Sequence, residues 1–473
     1  MTDNAKLNIA VVGAGPGGYA AAFLAADLGM QVTLIDREQN PGGVCLYRGC
    51  IPSKALLHVA KVIDESRHAK NWGIEFGEPK IDVTRLRSFK EGVVNKLTGG
   101  LGQVAKMRKV QYIRGDAAFE NSNTIRIMKN GSGDQTLSFD RIVIATGSRP
   151  AAIPSLKLDG PRTLDSTSAL DLSDVANRLL VIGGGYIGLE LGTVYAALGS
   201  KVSVVEMTPG LLPGVDRDLV LPLHKRLEKS FEAIMLNTTV TAVKEEANGI
   251  RVCFAGKEVK EDEKVFDKVL VSVGRKPNSE IPGLDRTMVK VGQRGFIEVN
   301  KQLQTDDPAI YAIGDVVGEP MLAHKASHQG RTAVEHIAGH KVAFEPNAIP
   351  AVVFTDPEIA WTGLTETQAE KEGREIKVAK FPWAASGRAV TLDRTEGMTK
   401  LVIDPATERV LGVGVVGSGA GELIAEGTLA IEMAALAKDV ALTIHPHPTL
   451  SETVMQSAEV FFGTSTDLYR PRR

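Results

Sequence analysis

Two stretches of the chain share one hydrophobic pattern: a short apolar run, a glycine-rich turn, a longer apolar stretch and a second short apolar run that ends in an acid. The first occupies residues 7–36 and the second residues 178–206. Short apolar runs without polar alternation are typical of parallel strands that are buried on both faces. The longer stretches between them predict helices. The pattern therefore predicts an α/β fold with two Rossmann-like units built on doubly wound parallel sheets.

Each glycine-rich turn has the spacing Gly-x-Gly-x-x-Gly. In a dinucleotide-binding unit the first glycine allows the tight turn, the second lets the pyrophosphate approach the backbone, and the third lets the helix pack on the strand. The helix N-terminus offers N–H groups to the phosphates, and the terminal acid accepts hydrogen bonds from ribose hydroxyls. Two complete units therefore predict two bound dinucleotides. The residues are Gly13, Gly15, Gly18 and Asp36 in the first unit and Gly183, Gly184, Gly185, Gly188 and Glu206 in the second.

Two dinucleotide sites in one chain favour a flavin and a nicotinamide, which together form a working redox pair. Glu206 indicates which nicotinamide binds, because a carboxylate there repels the 2′-phosphate of NADP and no arginine directly follows it. We therefore expect NAD. The alternative for Glu206 is an ordinary solvated acid at the end of a strand.

Further patterns divide the rest of the chain. Apolar runs that end in turns lie at residues 141–150, 268–277 and 310–315, and beyond about residue 346 these units stop. Mixed strand and helix patterns follow, with a helix near residues 421–437, so the last part is predicted to be a different, α+β domain. The predicted domains are residues 1–149, 150–276, 277–345 and 346–473.

Composition limits the classes of protein to which the chain can belong. It has 473 residues, of which 43% are hydrophobic, and a formal net charge of −2. This suits several folded domains and gives no sign of a nucleic-acid or anionic-membrane partner. No apolar run reaches the roughly 18 residues that a membrane-spanning helix needs. Residues 1–4 begin neither a basic signal segment nor an arginine-rich leader, so we expect a cytoplasmic protein.

The chain has three cysteines, an odd and low number that argues against a secreted disulfide framework. Cys253 lies in an alternating strand pattern and is predicted to be a small core residue. Cys45 and Cys50 lie close together among glycines, and Pro52 makes a regular helix unfavourable there because it lacks an N–H. A distorted turn could bring the two cysteines within disulfide range. Two unrelated core cysteines, or half of a metal site, are the alternatives.

The segment around these two cysteines resembles a known redox motif. It reads Gly42-Gly43-Val44-Cys45-Leu46-Tyr47-Arg48-Gly49-Cys50-Ile51-Pro52-Ser53-Lys54, and it is similar to the motif of the class I pyridine nucleotide–disulfide oxidoreductases. The resemblance extends over essentially the whole chain. Val44 stands where the family often has threonine, and Tyr47-Arg48 often reads Asn-Val. The chemistry of the family does not require these three side chains.

The resemblance implies roles for particular residues. Cys45 and Cys50 would form the redox-active disulfide, and Lys54, paired with Glu190, would lie beside the reactive ring of FAD. The other FAD contacts would come from Gly13, Gly15, Gly18, Asp36, Ala117, Thr146, Gly147, Asp315 and Ala323. NAD would bind Gly183, Gly184, Gly185, Tyr186, Ile187, Gly188, Glu206, Val240 and Gly274. Residues 1–149 would then bind FAD, 150–276 would bind NAD, 277–345 would complete the FAD site and 346–473 would form a dimer interface.

A second motif near the C-terminus reads His447-Pro448-Thr449-Leu450-Ser451-Glu452. Thiol–disulfide exchange needs a base because the thiolate is the nucleophile, and a histidine oriented by a carboxylate serves near neutral pH. The motif matches the catalytic segment of the same family. The resemblance implies that His447 is the base, that Glu452 orients it, and that the peptide bond between His447 and Pro448 is cis. His445 is predicted to be structural. In the family the base reaches the disulfide of the other subunit, which implies a homodimer.

Within the family, the residues Ile51-Pro52-Ser53-Lys54 favour the branch that oxidises dihydrolipoyl groups, with lipoyl domains of 2-oxo acid dehydrogenase or glycine cleavage complexes as partners. A glutathione-disulfide reductase would favour NADP and would usually read Val-Pro-Lys-Lys after the second cysteine. A mercuric reductase would carry a C-terminal cysteine pair, and no cysteine follows Cys253. A catalytically silent scaffold would have lost some of the four catalytic residues, all of which are present.

Overall fold

The computed structural model describes residues 7–129, 133–156, 160–257 and 262–468. Residues 1–4, on which the expectation about a leader rests, lie outside these ranges. Among the described residues, no helix combines the length and the apolar character that crossing a membrane requires.

The first sequence repeat folds as its pattern predicts, because its apolar runs become strands with buried side chains on both faces. The unit built on this repeat extends to residue 150 and contains an inserted three-stranded antiparallel sheet. The elements are β1 (Asn8–Val12), α1 (Pro16–Asp27), β2 (Gln31–Asp36), α2 (Gly43–Arg48), α3 (Cys50–His68), α4 (Val83–Met107), β3 (Gln111–Arg114), β4 (Asp116–Asn121), β5 (Thr124–Met128), β6 (Gln135–Ser138), β7 (Arg141–Ile144) and β8 (Ser148–Pro150).

The second repeat has the same design, again with an inserted three-stranded antiparallel sheet. Its elements are β9 (Thr163–Leu164), α5 (Ser168–Asp171), β10 (Arg178–Ile182), α6 (Tyr186–Ala197), β11 (Lys201–Val205), α7 (Arg217–Ser230), β12 (Ala233–Met235), β13 (Thr238–Glu246), β14 (Gly249–Gly256), β15 (Glu263–Phe266), β16 (Lys268–Val271) and β17 (Arg275–Pro277). Strand β17 pairs with β8 as an antiparallel ribbon, through which the chain enters and leaves this unit. The predicted domain limits at residues 149 and 276 both lie in this ribbon.

The chain then returns to the first unit with β18 (Ile310–Ala312) and α8 (Ala323–Ile337). Strand β18 pairs with β7 and completes a parallel sheet in the order β18-β7-β1-β2-β3. The second unit has a parallel sheet in the order β12-β11-β10-β16-β9. In both sheets the first strand of the repeat is central, so the glycine turn that follows it lies at the carboxyl edge of the sheet, where α/β proteins bind ligands.

Steric crowding explains the first glycine of each turn. Gly13 has φ +97°, and a Cβ there would lie 2.3 Å from the carbonyl oxygen of Ala145. Gly183 has φ +107°, and a Cβ there would lie 2.6 Å from the carbonyl oxygen of Ser272. Any larger residue would push the turn away from the neighbouring strand end.

The last part of the chain is a different, α+β domain, as predicted. One five-stranded antiparallel sheet in the order β19-β20-β23-β22-β21 packs against helices α11 and α13. The elements are β19 (Ala351–Val353), β20 (Glu358–Gly363), α9 (Glu366–Glu372), β21 (Lys377–Pro382), α10 (Gly387–Thr391), β22 (Met398–Ile403), β23 (Val410–Gly417), α11 (Ala420–Glu432), α12 (Ala437–Leu442) and α13 (Glu452–Phe462).

One predicted helix is shorter than its sequence pattern suggests. The apolar periodicity of residues 421–437 predicts a single helix, but α11 ends at Glu432 and a new helix begins at Ala437. Between them Ala434 takes φ +53°, and Leu436 forms a bridge with Arg409. The helix therefore ends although the apolar periodicity of the sequence continues.

Candidate active site

Most of the residues that the sequence predicts for FAD line a cleft of about 700 Å³. It lies where the glycine turn after β1, the two cysteines and the turn after β18 meet. Gly18 lies behind the turn, where a Cβ would stand 1.8 Å from the carbonyl oxygen of Gly13. The predicted residues that line the cleft are Gly13, Gly15, Asp36, Cys45, Cys50, Lys54, Ala117, Thr146, Gly147, Tyr186, Ile187, Glu190, Asp315 and Ala323.

The glycine turn and Asp36 fit the adenosine diphosphate half of a dinucleotide. A Cβ on Gly15 would meet nothing closer than the Cα of Gly43 at 4.0 Å, so the turn is open to a close approach by phosphates. The carboxylate of Asp36 accepts hydrogen bonds from the backbone N–H of Ala14 (2.6 Å) and of Glu38 (3.0 Å). Each oxygen keeps a further lone pair, which ribose hydroxyls can use.

Cys45 and Cys50 lie on two consecutive helices with a break between them. Helix α2 ends at Arg48, Gly49 has φ −144° and ψ −116°, and α3 begins at Cys50. A Cβ on Gly49 would lie 2.9 Å from the carbonyl oxygen of Val44, so the break requires glycine. Pro52 stands in the first turn of α3, where a missing N–H costs little. The expectation that this segment is not one regular helix is confirmed.

The two thiols are close enough to shift each other's pKa, and they differ in acidity. The Cys45 thiol lowers the pKa of Cys50 to about 7, with further help from the positive charge of Lys54. The interaction with Cys50, together with burial, raises the pKa of Cys45. In the reduced pair, Cys50 is therefore the thiol that holds the negative charge.

Lys54 is held by a buried carboxylate. Its Nζ lies 2.7 Å from Oε2 of Glu190, which also accepts from the hydroxyl of Ser53 at 3.2 Å. The second oxygen of Glu190 accepts the backbone N–H of Phe354 at 3.0 Å, and the ring of Phe354 lies 4.5 Å from Nζ of Lys54. Residues from α3, from α6 and from the end of β19 thus fix one ammonium group beside Cys50.

Replacing Lys54 is expected to raise the pKa of Cys50. In Lys54→Met the attraction of the ammonium group is lost while Glu190 remains, so the pKa should rise by about one pH unit or more. The rate of iodoacetamide alkylation of the reduced protein, measured against pH, reports this pKa because only the thiolate reacts. Trypsin cleaves after Arg48, so mass spectrometry reads the two cysteines on separate peptides.

The matched control is Lys61→Met, since Lys61 lies on the same helix but outside the lining of the cleft. Its alkylation profile at Cys50 should match that of the wild-type protein. An unchanged profile in Lys54→Met would mean that Lys54 does not control the charge on Cys50.

His447 and Glu452 form a hydrogen-bonded pair at the start of α13. Nδ1 of His447 lies 2.9 Å from Oε1 of Glu452, and Oε2 of Glu452 accepts the backbone N–H of Thr449 at 2.8 Å. A carboxylate only accepts, so Nδ1 carries the hydrogen and Nε2 is left to take a proton. The imidazole is 78% exposed. The peptide bond between His447 and Pro448 is cis, as the resemblance implies.

Comparison with known proteins decides the family. The family model described as pyridine nucleotide-disulphide oxidoreductase matches residues 7–330, and the model of its dimerisation domain matches residues 349–458. The chain belongs to this family. The expected family and fold class are therefore confirmed.

Relatives of this pyridine nucleotide-disulphide oxidoreductase match it over nearly its whole length. Proteins named dihydrolipoyl dehydrogenase from Haemophilus influenzae and Vibrio cholerae are 52% and 50% identical over 468 residues, which is 99% of this chain and 98% of each relative. The crystal structure of LpdA from Mycobacterium tuberculosis has a TM-score of 0.88 at 27% identity and covers 96% of this chain and 99% of that chain.

The second unit of the oxidoreductase repeats the arrangement around the acid. The carboxylate of Glu206 accepts the backbone N–H groups of Gly184 (2.7 Å) and Thr208 (2.8 Å), as Asp36 does in the first unit. Glu206 is buried, which excludes the alternative of a solvated acid at a strand end. Gly185 has no atom within 4 Å of where a Cβ would stand, so this turn is also open to phosphates.

Some of the remaining residues predicted for NAD lie in or beside this turn, and others are shared with the first cleft. Tyr186, Ile187 and Glu190 begin α6 and line the first cleft, so α6 joins the two sites. Val240 lies at a bulge in β13. The predicted site residues that do not line the first cleft are Gly18, Gly183, Gly184, Gly185, Gly188, Glu206, Val240 and Gly274, together with His447 and Glu452.

The prediction that Cys253 is a core residue is wrong. Val252 and Phe254 face the core of the second unit, and Cys253 lies on the opposite, half-buried face of β14.

The side chain of His445 is largely buried, with Nε2 2.6 Å from Glu426 and Nδ1 2.8 Å from the carbonyl oxygen of Thr443. These contacts agree with the structural role predicted for His445.

The sequence did not predict several residues that contact the predicted site residues and hold them in place. Ser148 donates to Asp315 at 2.5 Å and accepts from Arg275 at 2.7 Å, which ties the turn after β18 to the ribbon. Phe354 approaches Glu190 from the C-terminal domain. Their local sequence carries no signal for these contacts, because the partners are more than a hundred residues away in the chain.

Proposed function

We propose that this chain is a dihydrolipoyl dehydrogenase that moves electrons from dihydrolipoyl groups to the Cys45–Cys50 pair and then, with FAD, to NAD+. The observation that carries the proposal is the polarised thiol pair beside Lys54 at one end of a dinucleotide-sized cleft. The relatives named dihydrolipoyl dehydrogenase, which match 99% of the chain, supply the substrate class.

The two cofactors have different residues to hold them. The open turn at Gly15, the carboxylate of Asp36 and the side chain of Asp315 would hold FAD in the first cleft. The turn at Gly185 and the carboxylate of Glu206 would hold NAD, and the negative charge of Glu206 supports NAD over NADP. The chemistry that FAD supplies when bound is the transfer of an electron pair from the cysteines to NAD+.

The exchange begins on the oxidised pair. A substrate thiol gives its proton to Nε2 of His447, and the resulting thiolate attacks the sulfur of Cys45. A bond forms between the substrate and Cys45 while the Cys45–Cys50 bond breaks, and the electron pair of that bond stays on Cys50 as a thiolate. Lys54 stabilises this thiolate, since its positive charge lowers the pKa of Cys50.

The second substrate thiol completes the exchange. It attacks the substrate sulfur of the mixed disulfide, the bond between that sulfur and Cys45 breaks, and the proton of the attacking thiol passes to Cys45, which leaves as a thiol. The substrate leaves as a cyclic disulfide, and its two electrons remain on the cysteine pair. Because the first product leaves before NAD+ is reduced, steady-state kinetics should be of the ping-pong type.

A homodimer is part of the proposal. His447 and Glu452 do not line the cleft that contains the cysteines, and residues 349–458 match the dimerisation domain of the family. In a dimer, His447 of one subunit would serve the cysteines of the other. The partners would be lipoyl domains of 2-oxo acid dehydrogenase or glycine cleavage complexes.

Two assays separate this function from its nearest rival. We expect rapid formation of NADH from NAD+ and dihydrolipoamide, and no oxidation of NADPH by glutathione disulfide. Both reactions are followed at 340 nm on the purified holoprotein. Fast turnover in the second assay with none in the first would overturn the substrate and the nicotinamide, and it would leave the flavin–disulfide chemistry in place.

A further inference from the structure

Arg48 links the redox segment to the adenosine end of the cleft. It is the last residue of α2, and its guanidinium pairs with the carboxylate of Glu38, which follows the end of β2. Both side chains line the same cleft as Gly15 and Asp36. The pair joins the cysteine segment to the segment after β2, which begins next to Asp36.

Hydrogen bonds hold the chain on both sides of this ion pair. The backbone N–H of Glu38 donates to Asp36 at 3.0 Å, and its carbonyl oxygen accepts the hydroxyl of Tyr112 at 3.0 Å. The hydroxyl of Tyr47, the neighbour of Arg48, accepts the N–H of Asn40 and donates to its carbonyl oxygen, each at 3.1 Å. The end of α2 is thus anchored to the segment after β2 at two consecutive residues.

Most of the hydrogen-bonding capacity of Arg48 is left for another group. A guanidinium has five N–H donors, and among the described residues only Glu38 accepts from it, through one nitrogen. The side chain is 40% exposed, and it lines the cleft. An ion pair exposed to this extent contributes little to stability by itself.

The charge at this end of the cleft favours a phosphate ligand for Arg48. Asp36, Glu38 and Asp116 bring three carboxylates to the lining, and a diphosphate adds further negative charge. The neighbouring Arg37 pairs with Asp116, and its side chain is 77% exposed. Arg48 is therefore a cation at this end with free donors and with a position fixed by its neighbours. A guanidinium group can donate two parallel hydrogen bonds to one phosphate group, in a bidentate arrangement.

We propose that Arg48 is an additional FAD-binding residue, which donates to the diphosphate of the cofactor and is positioned by Glu38. The inference rests on the proposed function, because it requires FAD as the ligand of this cleft. It gives the chain a phosphate contact from α2, the helix that carries Cys45, in addition to the glycine turn after β1.

The test measures binding to the full-length apoprotein, prepared by removing the flavin at low pH and high salt. FAD affinity is read from quenching of flavin fluorescence, and the affinities of ADP and adenosine are read by calorimetry. Arg48→Met should raise the Kd of FAD and of ADP about tenfold or more, as expected for the loss of a hydrogen bond between charged groups. Adenosine has no phosphate, so its Kd should not change.

Three further variants keep the test specific. Arg48→Lys keeps the charge without the planar fork and should give intermediate affinity. Glu38→Gln breaks the same ion pair but keeps the guanidinium, so it should lose much less affinity than Arg48→Met. Arg251→Met is the matched control, because Arg251 is 35% exposed and pairs with Glu246 and Glu263 away from the cleft. Its Kd values should equal those of the wild-type protein.

Two results would overturn the inference. FAD and ADP could bind Arg48→Met as tightly as the wild-type apoprotein, or Glu38→Gln could lose as much affinity as Arg48→Met, which would make the ion pair and not a phosphate contact responsible. A wild-type apoprotein that bound no FAD would instead overturn the proposed function.

Discussion

Cys45→Ser is expected to lose dihydrolipoamide oxidation by at least about 10⁴-fold, as the removal of an essential nucleophilic centre does in other enzymes. A serine hydroxyl cannot form a disulfide with Cys50 or with the substrate, so neither the resting disulfide nor the mixed disulfide exists. The measurement is the rate of NADH formation from NAD+ and dihydrolipoamide on a variant with full flavin content.

Two controls show that the loss is chemical. Cys253→Ser should retain wild-type turnover, because Cys253 lies on β14 in the second unit, away from the cleft. In Cys45→Ser, oxidation of NADH by an artificial one-electron acceptor should continue, since that reaction needs the two cofactors but not the disulfide. Full dithiol turnover in Cys45→Ser would remove Cys45 from the role of exchange thiol.

The different acidities of the two thiols explain why Cys45 and not Cys50 is proposed to meet the substrate. In disulfide exchange, the sulfur that leaves most easily is the one whose thiol has the lower pKa. The pKa of Cys50 is lowered to about 7 and that of Cys45 is raised. Attack at Cys45, with Cys50 as the leaving thiolate beside Lys54, is therefore the favoured direction.

Much of the fold could be predicted because its signals are local. In each repeat, the strand, the turn, the helix and the terminal acid lie within about thirty consecutive residues. The structure has strands and helices at those positions. The cysteine segment was predictable for the same reason, since Gly49 and Pro52 impose the break between two helices through local backbone geometry. The pair formed by His447 and Glu452 is also local, five residues apart in sequence.

The contacts that support the site could not be predicted in this way. Glu190 is recognisable as a partner of Lys54 only through the family resemblance, and nothing in the sequence places the backbone N–H of Phe354 on its second oxygen. The half-buried position of Cys253 was also missed, because an alternating pattern does not say which of its two faces meets the core. In each case the deciding neighbour comes from a distant part of the chain.

Lys400 is the clearest example of a residue whose role appears only in three dimensions. In sequence it is one lysine in a strand, but its side chain is 1% exposed and its Nζ bonds three carboxylates: Asp216 at 2.8 Å, Asp218 at 2.7 Å and Glu366 at 2.6 Å. Asp216 and Asp218 lie at the start of α7 in the second unit, and Glu366 begins α9 in the C-terminal domain. Lys400 therefore joins two domains through one buried charge.

Lys400→Met is expected to lower the free energy of unfolding by about 3–5 kcal/mol, the usual cost of leaving a buried charge without its partner. Lys380 lies 2.6 Å from Asp218 and 3.0 Å from Glu366, but it makes no ion pair with Asp216 among the described residues, so one carboxylate loses its only cation. Denaturant unfolding followed by circular dichroism measures the loss. Lys371→Met, an exposed lysine on α9, should change stability by less than about 0.5 kcal/mol.

The loss of unfolding free energy in Lys400→Met should depend on pH in a defined direction. Burial raises the pKa of Asp216, but hydrogen bonds from Lys400 and from the N–H of Thr367 outweigh it and keep this pKa below its usual value. In the wild-type protein the group therefore adds stability above the unfolded pKa of about 4, and that stability is lost as the pH falls through the lower folded pKa. Without Lys400 the buried carboxylates favour their protonated forms, so the variant should be most destabilised near neutral pH and should approach the wild type as the pH falls below about 4. Adding Asp216→Asn to Lys400→Met should then recover part of the stability at pH 7. A deficit that is equal at pH 4 and pH 7 would mean that packing, and not the paired charges, accounts for the contribution of Lys400.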